Sequence, residues 1–421
     1  MEGVPNLDQH RLQNGHSRGS PGTGNLMATD ETQTPPHHLY VHVPFCRLVC
    51  AYCDFVTVGG RAADIPRYVD ALLNELAARS APGALRTIYF GGGTPSVLTG
   101  EQAGRVIGAA SDRWQHVAIE EVTVEANPSE RERPDWDGLR RAGVTRISLG
   151  VQSLRDADLE ALARGHTARE AREAFVAARA AGFDNVSIDL IYGIPGQSLQ
   201  GWRDGLGMAI ELGPDHISCY ALQLALAPDE WAAPPRPGAL RWRNRLVQRQ
   251  DEELASEQYR LAEGLLDAAG YRHYELSSWA RPGYESRHNS AYWARRAYTG
   301  IGAGAHSYDG AAERSWNLRD LDGYLAAAES GERPLADREM LDPGTRAFEA
   351  IALGLRRIDG LGRRAFADEF GLDPVERFAD RIAEGDQHSF LAWDGDRIWL
   401  TPRGRLFASE ACLVFLPEAV A

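Results

Sequence analysis

The sequence predicts an α/β fold: a partial (β/α)6 barrel over residues 37–270, then an α+β domain over 271–421 that ends in an order resembling a winged helix. Three observations predict it. Between residues 38 and 226, six short β-branched runs alternate with helical stretches. Their strand-to-strand spacings of roughly 25–50 residues suit right-handed βαβ units and a parallel sheet. Six units fall short of the eight that close a full barrel, so the sheet is expected to stay open. After residue 270 the alternation gives way to short strands and aromatic loops, and the C-terminal stretch reads as three helices, a hairpin and a helix.

In chain order, residues 1–36 are rich in Gly, Ser, Pro, Asn, Gln and Thr without a hydrophobic period, which predicts a disordered extension. They lack an apolar core of about 7–15 residues and so do not read as a secretory signal. Met27 is a candidate second start. The predicted strands span 39–43, 86–90, 122–125, 146–150, 185–190 and 216–220, with the clearest helices at 65–79, 168–181 and 199–212. A Pro- and Ala-rich loop is expected over 227–238 and one long polar helix over 240–269. Further helices are expected at 343–356, 362–370, 375–384 and 403–410. The last follows a hairpin whose Asp394-Gly395 turn joins 390–393 to 397–401.

Composition excludes several functions. The net charge of −14 argues against a nucleic-acid partner, and residues 334–421 carry 11 Arg against 16 acidic residues where a DNA-reading wing would be basic. No apolar run approaches the ~18 residues of a membrane span. All 45 basic residues are arginine, so a pyridoxal Schiff base and a Walker-A loop, which both need lysine, are excluded. Five cysteines are present, three of them within eight residues; this is no disulfide framework and points to a metal or redox site in a reducing cytoplasm.

That cluster is Cys46-Arg-Leu-Val-Cys50-Ala-Tyr-Cys53, a C-x3-C-x2-C run directly after the first strand. Thiolates so spaced select an iron–sulfur cluster or zinc. With zinc, His42 would complete a Cys3His site. With a [4Fe-4S] cube, three cysteines hold three irons and leave the fourth open to a ligand. Downstream, Gly91-Gly92-Gly93-Thr94 ends the second strand, where the backbone can approach a ligand or simply turn tightly. Glu125, Gln152, Asp189, Tyr220 and Ala221 stand at or beyond later strand ends. Singly each reads as a solvated or capping residue, but together they ring the C-terminal mouth of a barrel, where ligand sites sit. Arg164 opens a helix, as a carboxylate partner or as an ordinary surface arginine.

The C-x3-C-x2-C loop and the barrel around it resemble the radical S-adenosylmethionine (SAM) enzymes, in which the open iron chelates SAM and an electron delivered to the sulfonium breaks a C–S bond. From residue 38 to the C-terminus the chain is similar to the HemW heme-chaperone family, relatives of oxygen-independent coproporphyrinogen III oxidase. The resemblance implies SAM contacts at Tyr40, Tyr52, Gly92, Gly93, Thr94, Glu125, Gln152, Arg164, Asp189, Ala221 and His306. Arg164 would take the methionine carboxylate, and Gln152 with Asp189 the ribose hydroxyls.

Two features divide this group. The oxidase carries a fourth cysteine two residues after the third; Phe55 stands there. His288-Asn-Ser-Ala-Tyr292-Trp293 resembles the chaperone signature. A neutral His288 can ligate heme iron, Tyr292 and Trp293 offer faces to a porphyrin, and Arg295 and Arg296 are near enough in sequence to pair with propionates. The plain alternative is a packed aromatic loop with a satisfied histidine. The resemblance thus implies a [4Fe-4S] cluster, SAM and heme as cofactors and no residue catalysing decarboxylation. It also implies heme-acceptor partners such as respiratory-chain cytochromes, some of them membrane-bound, and an electron donor for the cluster. Coproporphyrinogen III decarboxylation and a zinc-stabilised binding protein are the competing readings. Cys219 and Cys412 read as packing thiols.

Overall fold

The computed structural model describes residues 35–114, 119–132, 134–224, 237–385 and 389–416. The predicted extension up to residue 34, with Met27, and residues 227–236 of the predicted loop lie outside the described residues. All six predicted strands form, as Pro36–Val43, Ala84–Gly92, Glu121–Ala126, Arg146–Gln152, Val186–Tyr192 and His216–Ala221, each paired in parallel with the next. They occupy the middle of one twelve-stranded sheet that does not close, as the partial barrel requires. A further strand, Tyr298–Ile301, pairs in parallel with Pro36–Val43 on its free side. It is four residues long and contains glycine, so it carries no apolar run that would mark it in the sequence. Antiparallel strands then extend both edges, so residues 272–340 supply strands to the same sheet as the barrel.

The central strands alternate polar and apolar residues, with a period of two that sends successive side chains to opposite faces. Leu39, Val41, Ile88, Val122, Val124, Ile147, Leu149, Ile188 and Ile217 are buried together with Leu72, Val106, Phe175 and Leu206 from the covering helices. The other face carries His38, Tyr40, Thr87, Tyr89, Thr123, Glu125, Arg146, Ser148, Ser187, Asp189 and His216. Register sets polar beside polar: His38 lies opposite Thr87, Ser148 opposite Ser187, and Asp189 opposite Ser218. Buried polar groups need partners, and neighbouring strands provide several of them. His38 Nδ1 meets Thr87 Oγ1 at 2.8 Å, and Ser187 Oγ meets His216 Nδ1 at 2.8 Å. Burial pushes His38 down to about 4 and His216 well below the usual imidazole range, so both are neutral.

Helix starts are set locally. Thr99 with Gln102 and Thr167 with Glu170 form reciprocal capping boxes, and Ser198 accepts from the Gly201 N–H. The predicted helix over 240–269 is in fact two, Pro237–Val247 and Glu252–Ala268. Asp251 caps the second by accepting from the Leu254 N–H, so its carboxylate restarts the helix where the polar pattern had shown no break.

The C-terminal module packs Pro343–Gly354, Arg363–Phe370 and Ala379–Gly385 on a small antiparallel sheet ordered Leu361–Gly362, Arg397–Leu400, Leu391–Trp393. The expected helices at 375–384 and 403–410 are each interrupted, at Phe378 and Phe407. Its core, built on Ile351, Phe366, Ile398 and Phe415, is separate from the barrel core.

The added parallel strand is locked on by one buried carboxylate. Glu75, 2% exposed, accepts from Arg79 Nη2 (2.7 Å), Asn317 Nδ2 (2.7 Å), Tyr324 Oη (2.8 Å) and the Gly302 N–H (2.9 Å). Deleting it strands a buried guanidinium and three other donors. Glu75→Ala is therefore expected to lower unfolding stability by about 3–5 kcal/mol in urea titrations followed by circular dichroism. A change below about 1 kcal/mol would mean that water replaces the carboxylate.

Candidate functional site

The parallel strands end on one side, and their loops enclose a cavity of about 660 Å³. Cys46, Cys50 and Cys53 line it, with Tyr52 between them. The loop that carries them is tied at its ends by a two-residue ladder, Phe45–Cys46 on Val58–Gly59. Two arginines distant in sequence hold it in place. Arg164 Nη1 donates to Cys50 Sγ (2.9 Å) and to Tyr52 Oη (3.2 Å), while its Nη2 donates to the Gly150 carbonyl (2.9 Å). Arg243, 3% exposed, donates to the carbonyl of Tyr52 (2.9 Å) and to Asp54. Thr94 Oγ1 donates to Cys46 Sγ at 3.4 Å. Burial pushes Cys46 up to about 12 and Cys53 up to about 11. These thiols would ionise only against added positive charge, as a bound metal provides.

Arg164 does not open a helix. It lies between Asp156–Ala161 and Ala168–Ala180, with its guanidinium aimed inward at sulfur, so it is neither a helix nor a surface arginine. Arg243 was not foreseen. It shares its helix with Arg241 and Arg245, and helical period alone does not distinguish the three.

The glycine turn closes another wall. Gly92, at φ +114°, would drive a Cβ to 2.5 Å from the His42 ring, and a Cβ on Gly93 would meet the Pro44 carbonyl at 2.6 Å. Only glycine fits this close stacking of turn on first strand. Gly92, Gly93 and Thr94 all border the cavity. Glu125 accepts from Tyr89 Oη (2.8 Å) and from the Gly92 N–H (3.1 Å). Burial raises Glu125 to about 7 and Asp189 to about 6, with Ser148 donating to the latter at 3.3 Å. Gln152 adopts φ +64°, a left-handed conformation unfavourable to a side chain, and also faces the cavity, as do Arg164 and Ala221.

Other expected residues lie elsewhere. Tyr40, His306 and Tyr292 border a second cavity of about 260 Å³, which shares Asp54 and Phe55 with the first. Phe55 is 66% exposed. His42 also borders the second cavity. Its Nε2 donates to the Val56 carbonyl (2.8 Å) and its Nδ1 accepts from Tyr40 Oη (3.1 Å), so it is not placed as a fourth zinc ligand. Among the described residues, no three His, Cys, Asp or Glu side chains are gathered tightly enough to grip an ion. What fits a cluster is the chemistry of the donor set: three soft thiols on one cavity wall, with hydrogen-bond donors on two of the sulfurs.

The His288 helix, Arg287–Trp293, packs against the strand that carries Thr87 and Tyr89. His288 is 1% exposed; Nδ1 meets Thr87 Oγ1 (2.7 Å), Nε2 meets Tyr292 Oη (2.9 Å), and the ring stacks on Tyr89 at 5.0 Å. Both nitrogens are engaged. The expectation of an open axial ligand is thereby corrected to a buried, satisfied imidazole that braces Tyr89 and, through it, Glu125. Trp293 borders neither cavity; its ring lies under the Arg356 guanidinium at 4.4 Å. Arg295, expected near propionates, pairs with Glu369 (2.9 Å) instead. Cys219 is 1% exposed with its thiol pushed up by burial, and burial raises Cys412 to about 11, as packing thiols should be.

Residues 40–206 match the family model described as the radical SAM superfamily, and residues 341–407 match that described as the HemN C-terminal domain. The heme chaperone HemW of Lactococcus lactis is 35% identical, covering 88% of this chain and 94% of its own. That of Escherichia coli K12 is 34% identical, covering 91% and 99%. Among solved structures, the coproporphyrinogen III oxidase HemN of Escherichia coli, a radical SAM enzyme, superposes with a TM-score of 0.76 over 91% of this chain and 90% of its own. At 23% identity it bears on the fold alone.

Glu125 yields a pH test. Its folded value of about 7 lies above the ordinary carboxylate value, so the folded protein holds a proton that the unfolded chain releases. That stabilisation is complete below about pH 4.5 and is lost as pH rises through about 7. Glu125→Gln should flatten the fall of the urea midpoint across this window. An unchanged slope would place the titration elsewhere.

Proposed function

The chain belongs to the HemW heme-chaperone family of radical SAM proteins, and from that premise we propose that it binds heme and passes it to acceptor proteins while carrying a [4Fe-4S] cluster and SAM. The observation that carries this reading is the convergence of Cys46, Cys50 and Cys53 with the Gly92–Thr94 turn, Gln152, Arg164 and Asp189 on one cavity. Phe55 replaces the cysteine of the oxidase pattern.

The three cysteines would hold the cluster, whose chemistry when bound is to deliver an electron to the SAM sulfonium. The chain's own residues supply position and charge. The Gly92–Thr94 turn brings backbone against the amino group. Arg164, already fixed by Gly150, pairs with the carboxylate. Asp189 and Gln152 accept and donate to the ribose hydroxyls. Arg243 keeps the cysteine loop folded over the mouth, limiting water. Acceptors are proposed to be respiratory-type cytochromes, and an external protein is proposed to reduce the cluster. Among the described residues, no helix is long and apolar enough to cross a membrane.

Anaerobic reconstitution with iron and sulfide should give about four of each per chain, and Cys50→Ala should abolish this incorporation. Reconstituted protein should take up heme and yield it to an apocytochrome, and with SAM and reductant it should leave coproporphyrinogen III unchanged. A lone zinc ion without sulfide, or accumulation of protoporphyrinogen IX, would sink the proposal.

A further inference from the structure

Two arginines on the 660 Å³ cavity come from the C-terminal module, Arg356 and Arg405. They differ in what neutralises them. Arg405 is paired with Glu263 at 2.8 Å. Arg356 has its Nε buried without a hydrogen bond, and its guanidinium is laid over Trp293. Glu275, whose charge Arg356 favours, is itself hydrogen-bonded to the Ser277 N–H at 3.2 Å. The backbone at Arg356 is fixed to the barrel sheet, because its carbonyl accepts from the Leu276 N–H (2.9 Å) and the Ile358 N–H donates to the Tyr274 carbonyl (3.2 Å). A cation is thus pinned at the edge of the cavity, stacked on an indole, with donor capacity left over. The same cavity is also lined by Ile191, Tyr192, Leu222 and Tyr259.

A cavity that combines apolar and aromatic lining with an under-used guanidinium suits a flat hydrophobic ligand with peripheral carboxylates. We propose that Arg356 is the propionate-reading residue of the heme site, supplied by the C-terminal module and pre-oriented by Trp293. This rests on the heme reading above. It gives Trp293 a role as the platform for the arginine, and it moves propionate recognition away from Arg295, which is held by Glu369.

The test compares heme with its dimethyl ester, which keeps the macrocycle and iron but lacks free carboxylates, by absorbance titration of the full-length reconstituted protein. Arg356→Gln should weaken heme binding about tenfold and ester binding less than about twofold. Arg356→Lys should restore part of the loss for heme, and Arg405→Gln, whose charge is already matched, should change neither ligand by more than about twofold. Equal weakening of heme and ester by Arg356→Gln would reduce its role to packing and overturn the assignment. So would unchanged heme affinity, or an Arg405→Gln effect as large as that of Arg356→Gln. If the wild-type protein binds neither porphyrin, the heme reading itself falls and the assignment falls with it. Ester binding, preserved in the variants, reports that they are folded.

Discussion

The structure depends on a two-residue alternation in parallel strands. Parallel strands covered on both faces ordinarily read as near-continuous apolar runs. Here one face is apolar and packs under helices, while the other is a continuous polar surface of hydroxyls, imidazoles, carboxylates and the buried Arg146. Such a surface needs partners, and the register supplies many of them across neighbouring strands, while Thr123 Oγ1 and two nitrogens of Arg146 are buried without one. The same alternation delivers Glu125 and Asp189 to the mouth, where burial raises both above the ordinary carboxylate range.

The cysteine loop has little structure of its own. Its conformation is imposed from outside, by Arg164 on Cys50 and Tyr52 and by Arg243 on the backbone after them. Both are near-fixed charges whose multiple donors match carbonyls and sulfur in a set geometry, which a more flexible ammonium would not hold as well. The loop is therefore a product of the completed barrel and of the helix after it.

The His288 helix reaches the site through Tyr89, and the C-terminal module reaches it through Arg356 and Arg405. His288, Thr87 and Tyr292 form a hydrogen-bonded chain that supports Tyr89, and Tyr89 holds Glu125. Trp293 carries Arg356 to the cavity edge. Residues that look like one short ligand motif in sequence divide their work between bracing the barrel and presenting a cation.

Much was legible in the chain alone. The six central strands, the cysteine spacing and the glycine turn follow from local period, propensity and backbone sterics, which act over a few residues. That residues at the strand ends border one cavity was legible for the same reason. The added strand at 298–301, the divided helix at Asp251, the role of Arg243 and the closure of both nitrogens of His288 were not. The strand, the role of Arg243 and the Thr87 side of His288 are decided by partners far away in the chain, whereas the break at Asp251 is a local cap and the His288–Tyr292 contact spans one helical turn, neither of which a polar pattern alone distinguishes. An arginine in a polar helix and a histidine beside a tyrosine look the same whether exposed or buried, and only the packed fold selects which donors and acceptors they meet.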